Sequence, residues 1–261
     1  MIPLIDADIL LYEVGYGAEY KREVPSDWDH VQEMVDLLIA KICNAVEATS
    51  PPVLFLSGKT NFRDDIAVKK GYKANRKDKP KPFHYKNLKA YLQFAYNTVL
   101  TDGIEADDAM AMYLTANKGK AVICSRDKDL RQVPGHHYSW ECGKQGEIPM
   151  FEVDELGEFW TKKLPKELKG TGLRFFYAQC LMGDGMDNIP GLPGIGPKYT
   201  YDLLGEATSK EELEAIVLQQ YEEKYAEKGR EELLEQARLV WMVREIDMEG
   251  KPKMWDFNYG Q

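Results

Sequence analysis

The sequence has no run of about 18 consecutive apolar residues, so no transmembrane helix is expected. Its first residues, MIPLIDADILLYE, lack a basic segment, and carboxylates interrupt their apolar stretch. We therefore expect no secretory signal peptide, and we expect a cytoplasmic location. Internal repeats and low-complexity tails are also lacking. A hydrophobic content of 44% over 261 residues is enough for a sizeable core.

Cysteine and histidine are scarce, with four of each. The cysteines are scattered without CxxC spacing, and the histidines have no ligand spacing with one another. This scarcity argues against a zinc site and favours reduced thiols in a cytosol.

The net charge of −9 is not typical of a nucleic-acid binder, but the charges are unevenly distributed. The segment Lys59–Lys89 holds eleven basic residues and three acids, a local charge of +8. Tyr72, Phe83, His84 and Tyr85 are interleaved with these cations. A basic stretch with aromatic rings can neutralise phosphates and stack on unpaired bases. The alternative is a solvated helix face.

Short apolar runs alternate with helical patterns, which is typical of an α/β fold with a mainly parallel sheet. The predicted strands are Ile2–Ile5, Val53–Leu56, Thr98–Leu100 and Lys120–Cys124. Amphipathic spacing predicts helices over Val31–Ala48 and Ala106–Ala116. The segments His137–Trp140 and Ile148–Phe151 flank a glycine-containing loop and are candidates for a hairpin.

The second half of the chain is mainly helical in pattern. Helices are predicted over Leu173–Met182, Lys210–Lys228 and Glu231–Arg244. Between the first two lies GDGMDNIPGLPGIGPK, whose glycine and proline content indicates an ordered turn structure or a linker.

Acidic residues recur where the predicted strands end or helices begin. They are Asp6 and Asp8, Glu105, Asp107 and Asp108, Asp127 and Asp129, and Asp184 and Asp187. Each pair alone could be a helix cap or a turn. Together they predict a crevice at the carboxyl ends of the strands in which acids repel one another until cations bind. Oxygen ligands without histidine or cysteine favour Mg²⁺ or Mn²⁺.

Six segments, in this order, resemble the 5′-nuclease family of flap endonucleases, phage 5′–3′ exonucleases and the 5′-nuclease domain of DNA polymerase I. They are LIDAD (4–8), NFR (61–63), GYKANRK (71–77), GIEADD (103–108), SRDKDL (125–130) and GDGMDNIPGLPGIGPK (183–198). The resemblance implies a single domain over residues 1–261, with a PIN-like, mainly parallel sheet flanked by helices. It also implies a helical arch near residues 58–92 and a C-terminal helix–three-turn–helix region near 173–245.

The resemblance further implies a nuclease that uses two Mg²⁺ ions, which Mn²⁺ can replace, to hydrolyse DNA at or near 5′ ends and leave a 5′-phosphate. The ligands of the first ion would be Asp6, Glu105, Asp107 and Asp127, with Asp108 beside them, and those of the second Asp129, Asp184 and Asp187. Lys73 and Arg76 would reach the scissile phosphate, and Tyr72 would stack on a base. Other DNA contacts would come from Arg63, Lys77, Gly194, Gly196 and Lys198.

The same resemblance implies a K⁺ ion on the carbonyls of GLPGIGPK and a monomeric protein of a bacterium or a phage-infected cell. Its substrates would be flaps, nicks or other DNA 5′ ends, with RNA–DNA hybrids left open. One departure concerns FLSGKTNFR, where the family often has an acid and this chain has Ser57 and Gly58. Asp8 also stands where the family often has Asn, so it is expected to act indirectly.

Two other functions are considered. A haloacid-dehalogenase-type phosphatase would use Asp6 and Asp8, but it does not explain Glu105, Asp107, the basic stretch or the GLPGIGPK turn. A catalytically degenerate DNA-binding member of the nuclease family is the other alternative.

Overall fold

The computed structural model describes residues 1–76, 80–160 and 166–257, without the side chain of Arg76. The chain divides into two compact units. The first unit is Met1–Thr60, Lys79–Asp127 and Gly135–Glu152, and the second is Asn61–Asp78, Lys128–Pro134 and Val153–Gln261. Among the described residues, no helix is long and apolar enough to cross a membrane.

A six-stranded sheet with strand order β3-β2-β1-β4-β5-β6 is built almost wholly from the first unit. The strands are β1 (Ile2–Asp6), β2 (Val53–Leu56), β3 (Asn97–Leu100), β4 (Ala121–Cys124), β5 (Gly135–Ser139) and β6 (Ile148–Val153). The pairs β1–β2, β1–β4, β2–β3 and β4–β5 are all parallel. The four predicted strands are confirmed, with bounds that differ by at most one residue at each end. The two candidate hairpin segments correspond to β5 and β6, which are neighbours in the sheet, so their pairing is also confirmed.

Nine α-helices are present in the described part of the chain. They are α1 (Ala7–Glu19), α2 (Trp28–Ala45), α3 (Arg63–Ile66), α4 (Tyr85–Ala95), α5 (Ala106–Ala116), α6 (Gly172–Met182), α7 (Pro197–Leu204), α8 (Lys210–Tyr225) and α9 (Gly229–Val240). The helix predicted at 106–116 is confirmed at both ends. The helix predicted at 31–48 is α2, which begins earlier because Asp27 caps it by accepting the N–H of His30.

The core of the first unit lies between the sheet and α1, α2 and α4. Ile5, Leu54 and Val122 from three strands are completely buried there, as are Leu10 and Val35 from α1 and α2. Because β1 pairs with β4 and aligns Ile5 with Cys124, the last residue of β1 lies beside the first residue after β4. This register places Asp6 next to Ser125.

The second unit is organised around α6, which is buried from Gly172 to Leu181 and packs against α8 and α9. The two long charged helices predicted after residue 210 are present but shorter. Ala226 has a positive φ of 52° and ends α8, and a short 3-10 turn leads to α9. At its C-terminus α9 stops at Val240, not at the predicted Arg244, because Trp241 adopts an extended conformation.

Arg63 explains why the chain leaves the helix there. Its guanidinium is fully buried and donates hydrogen bonds to the carbonyls of Leu239 (3.0 Å) and Trp241 (2.5 Å), at the end of α9. It also lies 4.7 Å from the ring of Phe62. The prediction that Arg63 contacts DNA is therefore wrong for this structure, because its donors face the carbonyls of its own unit.

Replacing Arg63 by Met is expected to destabilise the second unit. The change removes the charged donor but leaves the carbonyls of Leu239 and Trp241 buried, which should cost about 2–4 kcal/mol of unfolding free energy. Urea unfolding followed by tryptophan fluorescence measures it, since Trp241 lies at the contact.

The matched control is Arg230→Met, which removes an exposed guanidinium from the ring of Phe257. Its expected cost is about 0.5–1 kcal/mol. Equal losses of unfolding free energy at both positions would show that the buried hydrogen bonds of Arg63 do not stabilise the second unit.

Candidate active site

Asp6 is a deeply buried candidate ligand in the first unit, with 3% of its surface exposed. It caps α1 by accepting the N–H of Ile9 at 3.2 Å, and the hydroxyl of Ser125 donates to its Oδ2 at 2.7 Å. Burial and the charges of Asp8 and Asp127 raise the pKa of Asp6 to about 7, although the Ser125 hydrogen bond works against this shift. The carboxylates are thus close enough to repel one another.

Ser125 is a site residue that sequence reasoning missed. Besides donating to Asp6, its hydroxyl oxygen accepts the N–H of Asp127 at 2.9 Å. One hydroxyl therefore connects the last residue of β1 to the segment after β4. The available signal was its position as the first residue of SRDKDL, directly after a strand.

Ser57, which stands where an acid was expected, connects three elements of the first unit. Its N–H donates to Oδ2 of Asp8 at 3.0 Å, and its hydroxyl oxygen accepts the N–H of Ala106 at the start of α5, also at 3.0 Å. The ammonium of Lys89 donates to its carbonyl. Burial raises the pKa of Asp8, and the Ser57 hydrogen bonds offset part of the effect. Asp8 therefore lies at the carboxyl end of β2.

Glu105 and Asp108 form a capping box at the start of α5, in which Asp108 accepts the N–H of Glu105 at 3.2 Å. Asp108 is fully buried and caps α5 beside Glu105, and its part in metal binding stays a prediction. Glu105, Asp107 and Asp127 are half-buried.

In the second unit, Lys128 lies between two of the predicted ligands. Its Nζ is 3.0 Å from Oδ1 of Asp129 and 2.6 Å from Oδ2 of Asp184. Burial alone would lower the pKa of Lys128, but the two carboxylates raise it well above its usual range. In turn, burial would raise the pKa of Asp184, but Lys128 and the N–H of Met186 hold it below its usual value.

A chain of buried amides fixes Asp129. Gln179 on α6 donates to Oδ1 of Asp129 at 2.6 Å, and Gln132 donates to Oε1 of Gln179 at 2.6 Å. Both glutamines are almost completely buried. No pattern in the sequence indicates this pair of hydrogen bonds, because a glutamine within a helical pattern is ordinarily a surface residue.

Asp187 joins the GYKANR segment to the GDGMDN loop of the same unit. It accepts the hydroxyl of Tyr72 at 3.0 Å, lies 3.6 Å from the ammonium of Lys73, and its carbonyl accepts the Lys73 N–H at 3.0 Å. Asn75 donates to Gly185, and Asn188 donates to Gly71. The Tyr72 ring is 6% exposed, so it does not offer a face for the predicted base stacking in this structure.

The GLPGIGPK segment is the last part of the connection between α6 and α7, and its final two residues begin α7. Gly194 has a φ of +90°, and a Cβ built on it or on Gly196 would meet no atom within 4 Å. Both glycines therefore leave their backbone open to a ligand. Lys198 is exposed and paired with Asp202 at 2.8 Å. The side chain of Arg76 and the whole of Lys77, predicted to contact DNA, lie outside the described residues.

The donor set suits a hard divalent cation, because it consists of carboxylate oxygens that raise one another's pKa values. Within the described ranges, however, no three histidine, cysteine or acidic side chains are grouped so as to hold a metal ion. Hydrogen bonds hold Asp6 and Asp8, and lysines pair with Asp129, Asp184 and Asp187. The residues fit a divalent ion in chemistry, and the ammonium groups paired with Asp129, Asp184 and Asp187 would have to move for an ion to bind these three acids.

Comparison with known proteins decides the family. Residues 1–156 match the family described as 5′-3′ exonuclease, N-terminal resolvase-like domain. The chain belongs to the 5′–3′ exonuclease family. This membership confirms the resemblance found in the sequence and removes the phosphatase alternative.

Relatives of this 5′–3′ exonuclease family member include DNA polymerase I of Rhizobium leguminosarum, 34% identical over 170 residues, which are 62% of this chain and 15% of that protein. The flap endonuclease Xni of Shewanella halifaxensis is 34% identical over 145 residues, 53% of each chain. The chain thus spans a small part of the first and about half of the second.

Solved structures share the fold of this family member and confirm the PIN-like sheet. T5 5′-exonuclease with divalent zinc ions bound has a TM-score of 0.55 at 17% identity and covers 92% of this chain and 88% of its own. The catalytic core of Rad2 in complex with DNA substrate has a TM-score of 0.53 at 16% identity, with 97% and 81% covered.

Replacing Asp6 by Asn is expected to stabilise the metal-free protein above neutral pH. Because the pKa of Asp6 is raised to about 7 in the folded state, that state binds the proton more tightly than the unfolded chain. Stability is therefore lost as the pH rises from about 4 to about 7. The uncharged amide avoids this loss, so the melting temperature in EDTA at pH 8 should rise by about 2–4 °C or more.

The gain should shrink at pH 5, where Asp6 keeps its proton. Asp29→Asn, which removes an exposed acid from the first turn of α2, controls for the change in net charge. A melting temperature of Asp6→Asn below that of wild type at pH 8 would contradict the repulsion inferred here.

Proposed function

We propose that the protein is a divalent-metal-dependent 5′ nuclease that hydrolyses DNA phosphodiesters at or near 5′ ends and leaves a 5′-phosphate, in DNA replication or repair. The observation that carries the proposal is that the Ser125 hydroxyl donates to the carboxylate of Asp6 and accepts the backbone N–H of Asp127, at the ends of two adjacent parallel strands. Acids in this position belong to the ligand crevice of an open α/β sheet.

Two groups of acids would hold the ions. Asp6, Glu105, Asp107 and Asp127 in the first unit would bind one Mg²⁺, and Asp129, Asp184 and Asp187 in the second unit another, with Mn²⁺ able to substitute. Such ions activate water and stabilise the leaving oxygen of a phosphodiester when bound. Ser125 orients Asp6, and Gln179 orients Asp129, so that their oxygens keep a fixed direction.

Lys73 and Arg76 would contact the scissile phosphate. Lys73 has a positive φ of 49°, and its N–H is bound to the carbonyl of Asp187, so its backbone is held in place while its side chain is partly exposed. An ammonium held this way can pair with a phosphate oxygen as well as with Asp187.

DNA would be held by phosphate contacts that do not depend on sequence. Exposed lysines of the basic stretch, such as Lys70 and Lys81, and the open backbone at Gly194 and Gly196 support this. The carbonyls of the same turn would bind K⁺. Structures of T5 flap endonuclease and Rad2 with DNA support a DNA substrate with a 5′ end, flap or nick. The protein would act as a monomer in a bacterial or phage-infected cytoplasm, and RNA–DNA hybrids remain candidate substrates.

A catalytically degenerate DNA-binding protein is the second candidate. Ser57 in place of an acid and the absence of a ready metal cluster among the described residues favour it. Against it, the other predicted ligands of the first ion, Asp6, Glu105, Asp107 and Asp127, are all present.

Cleavage of a 5′-labelled flap duplex and a 5′-labelled nicked duplex tests the activity. We expect cutting in Mg²⁺ and none in EDTA, and Asp127→Asn should lower the rate by about 100-fold or more because it removes a ligand charge. Asp29→Asn should cut like wild type. DNA binding without metal-dependent cutting of either substrate would establish the degenerate binder instead.

Lys73→Ala is expected to lower the cleavage rate by about 100-fold at saturating Mg²⁺, since it removes a charge next to the phosphate. The same change in Lys70, which is exposed and close in sequence, should affect mainly the affinity for DNA and its salt dependence. Single-turnover rates and binding isotherms separate the two effects. Equal losses of rate in both variants would argue against a specific role for Lys73.

A further inference from the structure

Lys128 neutralises a pair of acids that two neutral donors already hold in place. Gln179 donates to Oδ1 of Asp129 at 2.6 Å, and the N–H of Met186 donates to Oδ1 of Asp184 at 2.7 Å. Neither donor carries charge. Removing the lysine would therefore leave both carboxylates oriented but without their shared counter-ion.

The lysine side chain is placed so that it can leave. It is 38% exposed, whereas the side chains of Asp129 and Asp184 are 15% and 6% exposed. Four flexible carbons connect its ammonium to the backbone, so it can swing into water without moving the acids. The acids themselves are fixed by Gln179 and by the Asp184–Ile189 bridge.

We propose that the ammonium of Lys128 is an internal cation that occupies the Asp129–Asp184 pair in the metal-free protein and competes with the divalent ion for it. The inference rests on the proposed function, because it takes Asp129 and Asp184 as ligands of the second ion. An ammonium and a divalent ion repel each other, so both cannot sit on the same two oxygens. Binding of the ion requires that Lys128 move away, and the affinity is lowered accordingly.

This competition gives Lys128 two measurable effects. In the metal-free protein it relieves the repulsion between Asp129 and Asp184 and stabilises the fold. In the presence of metal it raises the concentration at which the pair fills. A lysine in an ordinary exposed ion pair would have neither effect, because such pairs contribute little to stability.

Titration of the full chain with Mn²⁺ by isothermal calorimetry, together with melting in EDTA, tests the proposal. In Lys128→Met the weaker class of Mn²⁺ sites should tighten by about tenfold or more, which is ~1.4 kcal/mol. The melting temperature in EDTA should fall, and Mn²⁺ should restore it. The control Lys251→Met breaks an exposed pair with Glu249 and should change neither quantity.

Unchanged or weaker Mn²⁺ binding in Lys128→Met overturns the proposal. If that variant does not fold in EDTA, Lys128→Gln keeps a hydrogen-bond donor without the charge and must show the same tightening. Lys128→Arg keeps the charge and must not. If wild type fails to cut DNA while the tightening is observed, the nuclease activity is rejected and the competition stands. Cutting without tightening rejects the competition alone.

Discussion

Repulsion between carboxylates is the constraint on which both units depend, and each unit meets it differently. In the first unit, neutral donors such as the Ser125 hydroxyl and the Ser57 N–H hold Asp6 and Asp8, and the positive charge of Lys89 acts on Asp8 without bonding to it. In the second unit, Lys128 and Lys73 supply positive charge directly. The acids of the first unit are therefore held mainly by neutral donors, whereas ammonium groups of the protein itself pair with the acids of the second unit.

This difference shows in the pKa values. Burial and neighbouring acids raise the pKa of Asp6, whereas Lys128 keeps that of Asp184 low despite its burial. Two aspartates with similar exposure thus have opposite tendencies, and the partner decides the direction.

Features with a local cause could be predicted from the sequence. The strand Val53–Leu56 and the helix Ala106–Ala116 have apolar spacing and flanking signals within a few residues, and both are present with the predicted bounds. The acids of the site could be selected because strand ends converge in a parallel sheet. Their order along the chain also matched a known family.

Features that depend on distant partners could not. Arg63 and Tyr72 stand in motifs that suggest DNA contact, yet their side chains are buried by the end of α9 and by Asp187, which are far away in sequence. The Gln132–Gln179 pair and the double role of Ser125 are likewise invisible without the fold. In each case the sequence does not reveal which polar group will be the hydrogen-bond partner of the side chain.

The bonds of Arg63 have a consequence for the order in which the chain folds during synthesis. Its carbonyl partners follow it by 176 and 178 residues. During synthesis on the ribosome, this guanidinium must stay hydrated or form transient contacts until residue 241 has emerged. The second unit therefore completes its core late, and long-range closure of this kind is slow compared with helix formation. A truncated nascent chain would expose Arg63 and the basic segment after it.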